Sequence, residues 1–227
     1  MPDRTPPVIL FDFGGTLDAD GVPWADRFFD AYRRSGGAVD VSRFGALFRK
    51  SDEMLLGSHP VGGIGFHAMV HHQAAILANL LPDGARFAEP MADGFHRSAL
   101  AVVRKNRPVL ARLALERRLG VVSNFTGNLR ECLDELELSS LFSVVVDSSV
   151  VGAAKPDPTV FVRALEAIRV PAASAWFVGD NPENDVRPAS KLGMTTCWLA
   201  PADRETPPGL RPTHRIASLL ELEGLVT

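Results

Sequence analysis

The sequence has little cysteine, and its cysteines form no recognisable ligand or disulfide pattern. Its 227 residues include only Cys132 and Cys197, which lie far apart with no CxxC and no cysteine–histidine spacing of the kind that binds zinc. This scarcity argues against a disulfide-stabilised secreted domain and against a structural zinc site. It fits a protein of a reducing compartment.

An excess of basic residues and a long apolar run are also missing. Lysine and arginine number 24 against 27 acidic residues, a formal net charge of −3, which argues against nucleic acid as a partner because phosphate binding needs a basic surface. No apolar run approaches the roughly 18 residues of a membrane-spanning helix. The first run, 8–13, is too short for a signal-peptide core, so the sequence predicts a cytoplasmic protein with no membrane segment.

What the sequence does contain is an alternation of short apolar runs with segments of helical periodicity. With 46% hydrophobic residues, the length suits one domain that carries at most a smaller insert. The predicted strands are 8–13, 120–123, 142–146, 175–178 and 194–199, and the predicted helices between them are 127–138, 158–168 and 183–192. After a proline-rich loop, the fragment 214–217 and a predicted helix, 218–222, close the fold. This order predicts an α/β fold with a doubly wound, Rossmann-like parallel sheet, whose ligand site lies at the carboxyl ends of the strands.

Residues 18–98 interrupt the alternation, because helical patterns follow one another there with no strand between them. The predicted helices of this stretch are 24–35, 42–56 and 65–81. Its length predicts an inserted helical domain, residues 18–98, on a core domain of residues 1–17 and 99–227. The connections near 18–23 and 98–103 are the expected hinges.

Polar residues follow the predicted strands where the chain leaves the sheet. They are Asp12, Gly14, Gly15 and Thr16 after the first strand, Ser123 and Asn124 after the second, Lys155 after the third, and Asp180 and Asp185 after the fourth. The carboxyl ends of parallel strands share one edge of a sheet, so these residues are expected to converge. Carboxylates, hydroxyls and a lysine suit a hard divalent cation and a phosphate group.

Four motifs at these positions resemble those of the haloacid dehalogenase-like (HAD-like) hydrolase superfamily. They are FDFGGTLD at 11–18, VVSN at 121–124, KPDP at 155–158 and GDNPEND at 179–185, in the family's order and over nearly the whole chain. The resemblance implies a phosphatase-type hydrolase. It also implies that the helical insert between the first and second motifs is a cap domain.

The resemblance further implies roles for individual residues. Asp12 is the implied nucleophile, which accepts the phosphoryl group as an aspartyl phosphate, and Lys155, one of only four lysines, pairs with that group. The implied cofactor is Mg²⁺, and the implied substrate is a small phosphorylated metabolite, bound by a monomer or a homodimer. The implied metal ligands are Asp12, the carbonyl of Gly14, Asp180 and Asp185, and the implied phosphate contacts are Gly15, Thr16, Ser123 and Asn124.

Gly14 departs from the family's pattern. Phosphatases of this superfamily usually carry a second aspartate there, which protonates the leaving oxygen and then activates water, and such acid–base catalysis is worth roughly 10² to 10⁴ in rate. Three explanations stay open: Asp18 or Asp20 of the first hinge replaces it, a histidine of the insert replaces it, or the reaction is not ordinary ester hydrolysis. The candidate histidines are His59, His67, His71 and His72.

Three alternative functions follow from the same departure. Phosphonoacetaldehyde hydrolases resemble this chain in having a small residue at the position of Gly14, and they use a cap lysine, here Lys50, as a Schiff base. Haloacid dehalogenases also lack the second aspartate, but they need no metal and are not expected to carry a pair such as Asp180 and Asp185. The third alternative is a protein that binds a phosphorylated ligand without turning it over.

Overall fold

A six-stranded, all-parallel β-sheet forms the centre of the protein. The computed structural model describes residues 8–57 and 62–226. The strands are β1 Val8–Phe11, β2 Arg118–Ser123, β3 Phe142–Asp147, β4 Ala175–Gly179, β5 Thr195–Leu199 and β6 His214–Ile216. Their order in space is β3-β2-β1-β4-β5-β6, so that β1 pairs with both β2 and β4. The predicted doubly wound parallel sheet is confirmed.

Helices join the strands along the chain. They are α1 Trp24–Arg34, α2 Val41–Gly57, α3 Phe66–Leu80, α4 Ala88–Glu116, α5 Leu129–Glu135, α6 Ser148–Val151, α7 Thr159–Ile168, α8 Arg187–Lys191 and α9 Leu222–Val226. Single helical turns at Phe13–Leu17 and Pro182–Val186 follow the loops after β1 and β4. Within the described residues, no helix has the length and apolarity needed to cross a bilayer.

Both faces of the sheet are buried, which explains why its strands read as continuous apolar runs. In β1, Val8 and Leu10 belong to the apolar cluster that includes Phe161 of α7. The alternate residues Ile9 and Phe11 belong to the cluster on the opposite face. A strand covered on both faces lacks the polar alternation of a half-exposed strand. The cluster on the second face also includes apolar side chains of the helices between β1 and β2. The sheet and these helices therefore share one hydrophobic core.

The last helix before β2 was not predicted from the sequence. Helix α4 runs for 29 residues, from Ala88 to Glu116, and packs against α1 and α3 while also contacting β2. The expected second hinge, 98–103, therefore lies inside an unbroken helix and not in a loop. The division into a core and a cap at residues 18 and 98 stays a prediction, and the chain passes the second boundary as helix.

Candidate active site

The chain turns sharply after β1 and returns close to the end of β4. The Asp12 amide donates a hydrogen bond of 2.9 Å to the carbonyl of Val178 in β4, which holds Asp12 at the sheet edge. Gly15 has φ of +91°, and a Cβ at this residue would lie only 2.7 Å from the carboxylate of Asp180. A glycine is therefore required both by the backbone conformation and by the close approach.

Lys155 joins two buried carboxylates at this edge. Its Nζ donates hydrogen bonds of 2.6 Å to Oδ1 of Asp12 and of 2.6 Å to Oδ1 of Asp185, and Ser123 Oγ donates to the same Asp12 oxygen at 3.0 Å. Burial on its own lowers the pKa of Lys155, but the charges of Asp12 and Asp185 outweigh it and raise the pKa above its usual range. Lys155 is thus a permanent cation in contact with Asp12.

Three carboxylates share this small volume. One oxygen from each of Asp12, Asp180 and Asp185 lies within 4.8 Å of the others. Burial, together with the charges of Asp12 and Asp185, raises the pKa of Asp180. Burial and the charge of Asp12 raise the pKa of Asp185 to about 6, against the opposing effect of Lys155. One lysine offsets only part of this negative charge, and clustered carboxylate oxygens are ligands that Mg²⁺ prefers, so the residues fit a divalent cation.

Thr16 and Asn124 lie at the site but bond to other site residues. Thr16, fully buried, accepts a hydrogen bond of 3.1 Å from the Asp180 amide and donates one of 3.3 Å to the Asp180 carboxylate. Asn124 accepts a bond of 2.7 Å from the Lys155 amide and donates one of 2.9 Å to the Lys155 carbonyl. In this structure the two side chains position Asp180 and Lys155, and their contact with phosphate stays a prediction.

Asp18 is buried and links the loop after β1 to helix α1. Its Oδ1 accepts a hydrogen bond of 2.8 Å from the Gly15 amide, and its Oδ2 accepts bonds of 2.9 Å from the Trp24 indole and 2.7 Å from the Arg27 guanidinium. Burial raises the pKa of Asp18 against the opposing effect of Arg27. Both of its oxygens are engaged, so it does not act as the free proton donor considered above, and the Gly15 amide is not free to bind phosphate.

The indole of Trp24 fills the space beside Gly14. A Cβ at Gly14 would lie 3.1 Å from the indole Nε1, and the ring is held by Asp18 and by an edge-on contact with Phe95 at a centroid distance of 4.8 Å. A carboxylate side chain at position 14 would require the indole to move. The place of the missing aspartate is therefore taken by an aromatic side chain that can supply no proton for catalysis.

Replacing Asp18 by alanine is expected to destabilise the protein by about 3–5 kcal/mol, because it leaves a buried cation unpaired. The Arg27 side chain is only 8% exposed and Asp18 is not exposed at all. Urea unfolding monitored by circular dichroism measures the change in the free energy of unfolding.

The matched control is Asp30→Ala on α1, the helix that carries Arg27. Asp30 also pairs with an arginine, Arg34, but the two side chains are 58% and 79% exposed, so the expected cost is below about 1 kcal/mol. Equal losses for the two variants would show that the buried pair does not stabilise the loop.

A cavity of about 500 Å³ opens at the strand ends, between the sheet edge and the helical insert. The sheet side of its wall includes Asp12, Gly14, Ser123, Asn124, Lys155, Asp180, Asn184 and Asp185. The insert side includes Pro23, Trp24, Ala25, Phe48, Arg49, Asp52, Leu55, Leu56 and Met69. The insert therefore forms one wall of the chamber that holds the strand-end residues, and the chamber has the size of a small-molecule site.

The other candidate replacements for the missing aspartate lie elsewhere. Asp20 accepts hydrogen bonds from Lys105, from Asn106 at 2.8 Å and from the Leu219 amide at 3.1 Å. Among the described residues, the cavity wall includes none of the following: Asp20, Lys50, His67, His71 and His72. His59 lies outside the described residues.

Asp52 is the site residue that the sequence analysis missed. Among the described residues of the insert, it supplies the single carboxylate of the cavity wall. Burial raises its pKa to about 7, with a hydrogen bond from Gln73 opposing the shift and the charge of Glu53 adding to it. Helical periodicity placed Asp52 on a helix, but periodicity does not show which polar residue of a helix meets a cavity.

Comparisons with known proteins agree with this geometry. A family model described as haloacid dehalogenase-like hydrolase matches residues 6–193. A phosphoserine phosphatase of Thermus thermophilus is 36% identical over 214 residues, which are 90% of this chain and 78% of the relative. The pyrimidine 5′-nucleotidase YjjG of Escherichia coli is 37% identical over 111 residues, which are 48% of this chain and 49% of the relative, so the match spans about half of that protein.

Solved structures share the fold at low sequence identity. A 2-haloacid dehalogenase from Pseudomonas syringae superposes with a TM-score of 0.57 at 24% identity, covering 96% of this chain and 97% of the other. The HAD-hydrolase YfnB from Bacillus subtilis superposes with a TM-score of 0.60 at 19% identity, covering 97% and 98%. At such identities the likeness concerns the fold alone. The family model, which matches most of the chain, and the phosphatase relative aligned along 90% of it together establish that this chain is a hydrolase of the haloacid dehalogenase-like family.

Proposed function

We propose that the protein is a Mg²⁺-dependent phosphohydrolase of small phosphorylated metabolites that works through an aspartyl phosphate on Asp12. The observation that carries the proposal is the convergence of Asp12, Lys155 and two further buried carboxylates at the ends of the central strands. The phosphoserine phosphatase relative supports the same class of reaction.

The hydrogen bonds of Asp12 leave one of its oxygens available as a nucleophile. Oδ1 accepts from Lys155 and Ser123, whereas no hydrogen bond from the described residues reaches Oδ2. In the proposed reaction Oδ2 attacks phosphorus, the bond from phosphorus to the leaving oxygen breaks, and the leaving oxygen takes up a proton. A water molecule then attacks the phosphorus of the aspartyl phosphate, which releases inorganic phosphate and restores the Asp12 carboxylate.

Lys155 provides the positive charge that this transfer needs. Its ammonium group is 2.6 Å from Oδ1 of Asp12. The Asn124 side chain bonds to the amide and the carbonyl of Lys155 and so fixes the backbone of that residue. A compact cation at this position attracts the phosphate and offsets charge on its oxygens while Asp12 attacks. Because the group is buried, its interaction with phosphate is screened less than it would be in water.

The carboxylates of Asp12, Asp180 and Asp185, with the carbonyl of Gly14, are the groups proposed to hold Mg²⁺. Three buried acidic groups with a single lysine between two of them are short of positive charge. When bound, the ion supplies Lewis-acid neutralisation of the phosphoryl oxygens. Thr16 contributes by fixing the orientation of Asp180 through its two hydrogen bonds.

The cavity supports a small substrate. Its volume of about 500 Å³ accommodates a phosphorylated metabolite and not a polymer. Apolar side chains such as Phe48 and Leu55 line the insert side together with the charged Arg49 and Asp52. Lys50 does not line the cavity, so the geometry offers no support for the Schiff-base chemistry of a phosphonatase.

The expected result of an activity assay is hydrolysis of p-nitrophenyl phosphate that depends on Mg²⁺. Removing the ion with EDTA is expected to lower the rate by about 10²-fold or more, since Lewis-acid stabilisation is worth several kcal/mol. Mg²⁺ should also raise the melting temperature, because binding relieves the repulsion among the three carboxylates. Assays of p-nitrophenyl phosphate and a panel of phosphorylated metabolites, with and without Mg²⁺, measure the effect.

The control for metal binding is a pair of carboxylate variants. Asp180→Asn is expected to lose the Mg²⁺-dependent rise in melting temperature, whereas Asp203→Asn, at an exposed residue between β5 and β6, is expected to keep it. The proposal is wrong if no phosphate ester is hydrolysed in Mg²⁺ and the ion leaves the melting temperature of the unaltered protein unchanged.

A further inference from the structure

We propose that Asp52 of helix α2 donates the proton to the leaving oxygen, in place of the aspartate that position 14 lacks. This inference rests on the proposed phosphohydrolase function and adds a catalytic residue to it. The motif sequence does not show this residue, because Asp52 lies 40 residues beyond Asp12 and outside all four motifs.

Asp52 lies on the face of α2 that forms the wall of the active-site cavity. The residues of α2 in that wall are Phe48, Arg49, Asp52, Leu55 and Leu56. This spacing of three and four residues marks one continuous stripe of the helix, and Asp52 stands in the middle of it. The stripe closes the chamber whose opposite wall includes Asp12 and Lys155.

A buried hydrogen-bond chain fixes the Asp52 carboxyl group. Gln73 of α3, fully buried, donates from Nε2 to Oδ1 of Asp52 at 2.7 Å and also to Ser51 Oγ at 2.9 Å. Ser51 in turn donates to the carbonyl of Phe48 at 2.7 Å. Gln73 supplies the one hydrogen bond that the described residues make to this carboxyl group. Oδ1 is thus held as an acceptor, and Oδ2 is left to carry a proton.

The surroundings of Asp52 keep a proton available near neutral pH. Burial raises its pKa to about 7, although the Gln73 bond opposes the shift. A general acid is most effective when its pKa lies near the working pH. The charged groups around it are Arg49 and Glu53 on α2 and Asp12, Lys155, Asp180 and Asp185 across the cavity, whereas Gln73 of α3 is uncharged.

The other carboxylates of the cavity wall are already engaged. Asp12 is the proposed nucleophile, and Asp180 and Asp185 are proposed to hold Mg²⁺ with it. Beside Gly14, the indole of Trp24 fills the space that an aspartate side chain would use. Among the described residues of the wall, Asp52 is therefore the carboxyl group that has no other proposed role.

The proposed step balances in protons. As the phosphorus–oxygen bond of the substrate breaks, Asp52 gives its Oδ2 proton to the leaving oxygen and becomes a carboxylate. When water attacks the aspartyl phosphate on Asp12, the Asp52 carboxylate takes up the proton of that water. The cycle ends with Asp52 protonated and Asp12 free.

The test compares leaving groups in the variant Asp52→Asn, which keeps the shape of the side chain and its bond from Gln73. Formation of the aspartyl phosphate is followed in single-turnover experiments with an alkyl phosphate and with p-nitrophenyl phosphate, both in Mg²⁺. With the alkyl phosphate the rate is expected to fall by about 10² to 10⁴, because alkoxide is a poor leaving group without a proton. With p-nitrophenyl phosphate it should fall by less than about tenfold, since nitrophenolate leaves without a proton.

A pH profile gives a second readout. With the alkyl phosphate, the single-turnover rate of the unaltered protein should decline above about pH 7, where Asp52 loses its proton. Asp52→Asn should lose this decline. The control is Asp203→Asn, which removes one carboxylate charge at an exposed residue that is not part of the cavity wall and should change neither the rate nor the profile.

The outcomes separate this inference from the proposed function. If Asp12→Asn abolishes turnover of both substrates while Asp52→Asn slows formation of the aspartyl phosphate from both substrates equally or from neither, Asp52 is not the proton donor and the phosphohydrolase function still stands. If Asp12→Asn keeps its activity, the proposed function itself is wrong. A second variant, Asp52→Ser, should give the same substrate-dependent loss, so that the conclusion does not depend on how one substitution folds.

Discussion

Asp12→Asn is expected to lower kcat by about 10⁴- to 10⁶-fold for every phosphate ester, the scale on which enzymes lose rate when a catalytic nucleophile is removed. An asparagine amide cannot form the aspartyl phosphate, so the loss should not depend on the leaving group. Steady-state assays with an aryl and an alkyl phosphate measure it. Acid quenching should in addition trap a phosphoryl group on the peptide that contains Asp12 in the unaltered protein and not in the variant.

The variant is expected to fold normally. Asparagine has the shape of aspartate, and Lys155 keeps its 2.6 Å bond to Asp185, so no buried cation is left unpaired. Removing one of three clustered carboxylates also lessens their repulsion, and the metal-free variant should melt at or above the temperature of the unaltered protein. Asp26→Asn, at an exposed residue of α1, is the control and should keep full activity. Retention of activity within about tenfold by Asp12→Asn would contradict a covalent role.

Lys155→Met is expected to lower kcat by about 10³- to 10⁵-fold, the range found when a cation that stabilises phosphoryl transfer is removed. The same change should lower the free energy of unfolding by about 3–5 kcal/mol, because it leaves the buried carboxylates of Asp12 and Asp185 without their cation. Kinetic assays and urea unfolding in EDTA measure the two effects.

The loss of stability should be smaller in Mg²⁺ than in EDTA, because a bound cation offsets the charge that Lys155 no longer balances. Lys191→Met, at an exposed residue of α8, removes an equivalent charge and should alter neither quantity. A Lys155→Met protein that is as stable and as active as the unaltered one would contradict the roles given to Lys155.

The strands were predictable because each is buried on both faces. β1, predicted as 8–13, is observed as Val8–Phe11, and β4, predicted as 175–178, is observed as Ala175–Gly179. The predicted and observed strands differ at their ends, where hydrogen bonds to a neighbouring strand decide which residue is the last of the strand. The apolar run shows that a strand is buried, but it does not show where its partner stops.

Helix α4 was missed for a different reason. Its buried residues do recur every three or four positions, among them Phe95, Ala99 and Val103. Several of them are small or polar, such as Asn106, and Pro108 stands inside the helix, where proline usually signals a break. Packing against α1, α3 and the sheet sustains the helix, and these contacts are not local in sequence.

The sequence by itself determined the class of the site. The carboxylate proposed as the nucleophile, a lysine and an acidic pair each follow a predicted strand, and parallel strands bring their carboxyl ends to one edge whatever the loops between them do. Family membership, the sheet and the identity of the strand-end residues follow from that regularity.

Only the tertiary structure decided how the remaining side chains are used. Asp18 is committed to Arg27 and the loop, Trp24 occupies the space beside Gly14, and Asp52 faces the cavity. No sequence motif marks these three contacts, because each of them depends on how the helical insert packs against the sheet edge. The groups that carry the chemistry are set by the sheet, whereas the surroundings that tune it are set by long-range packing.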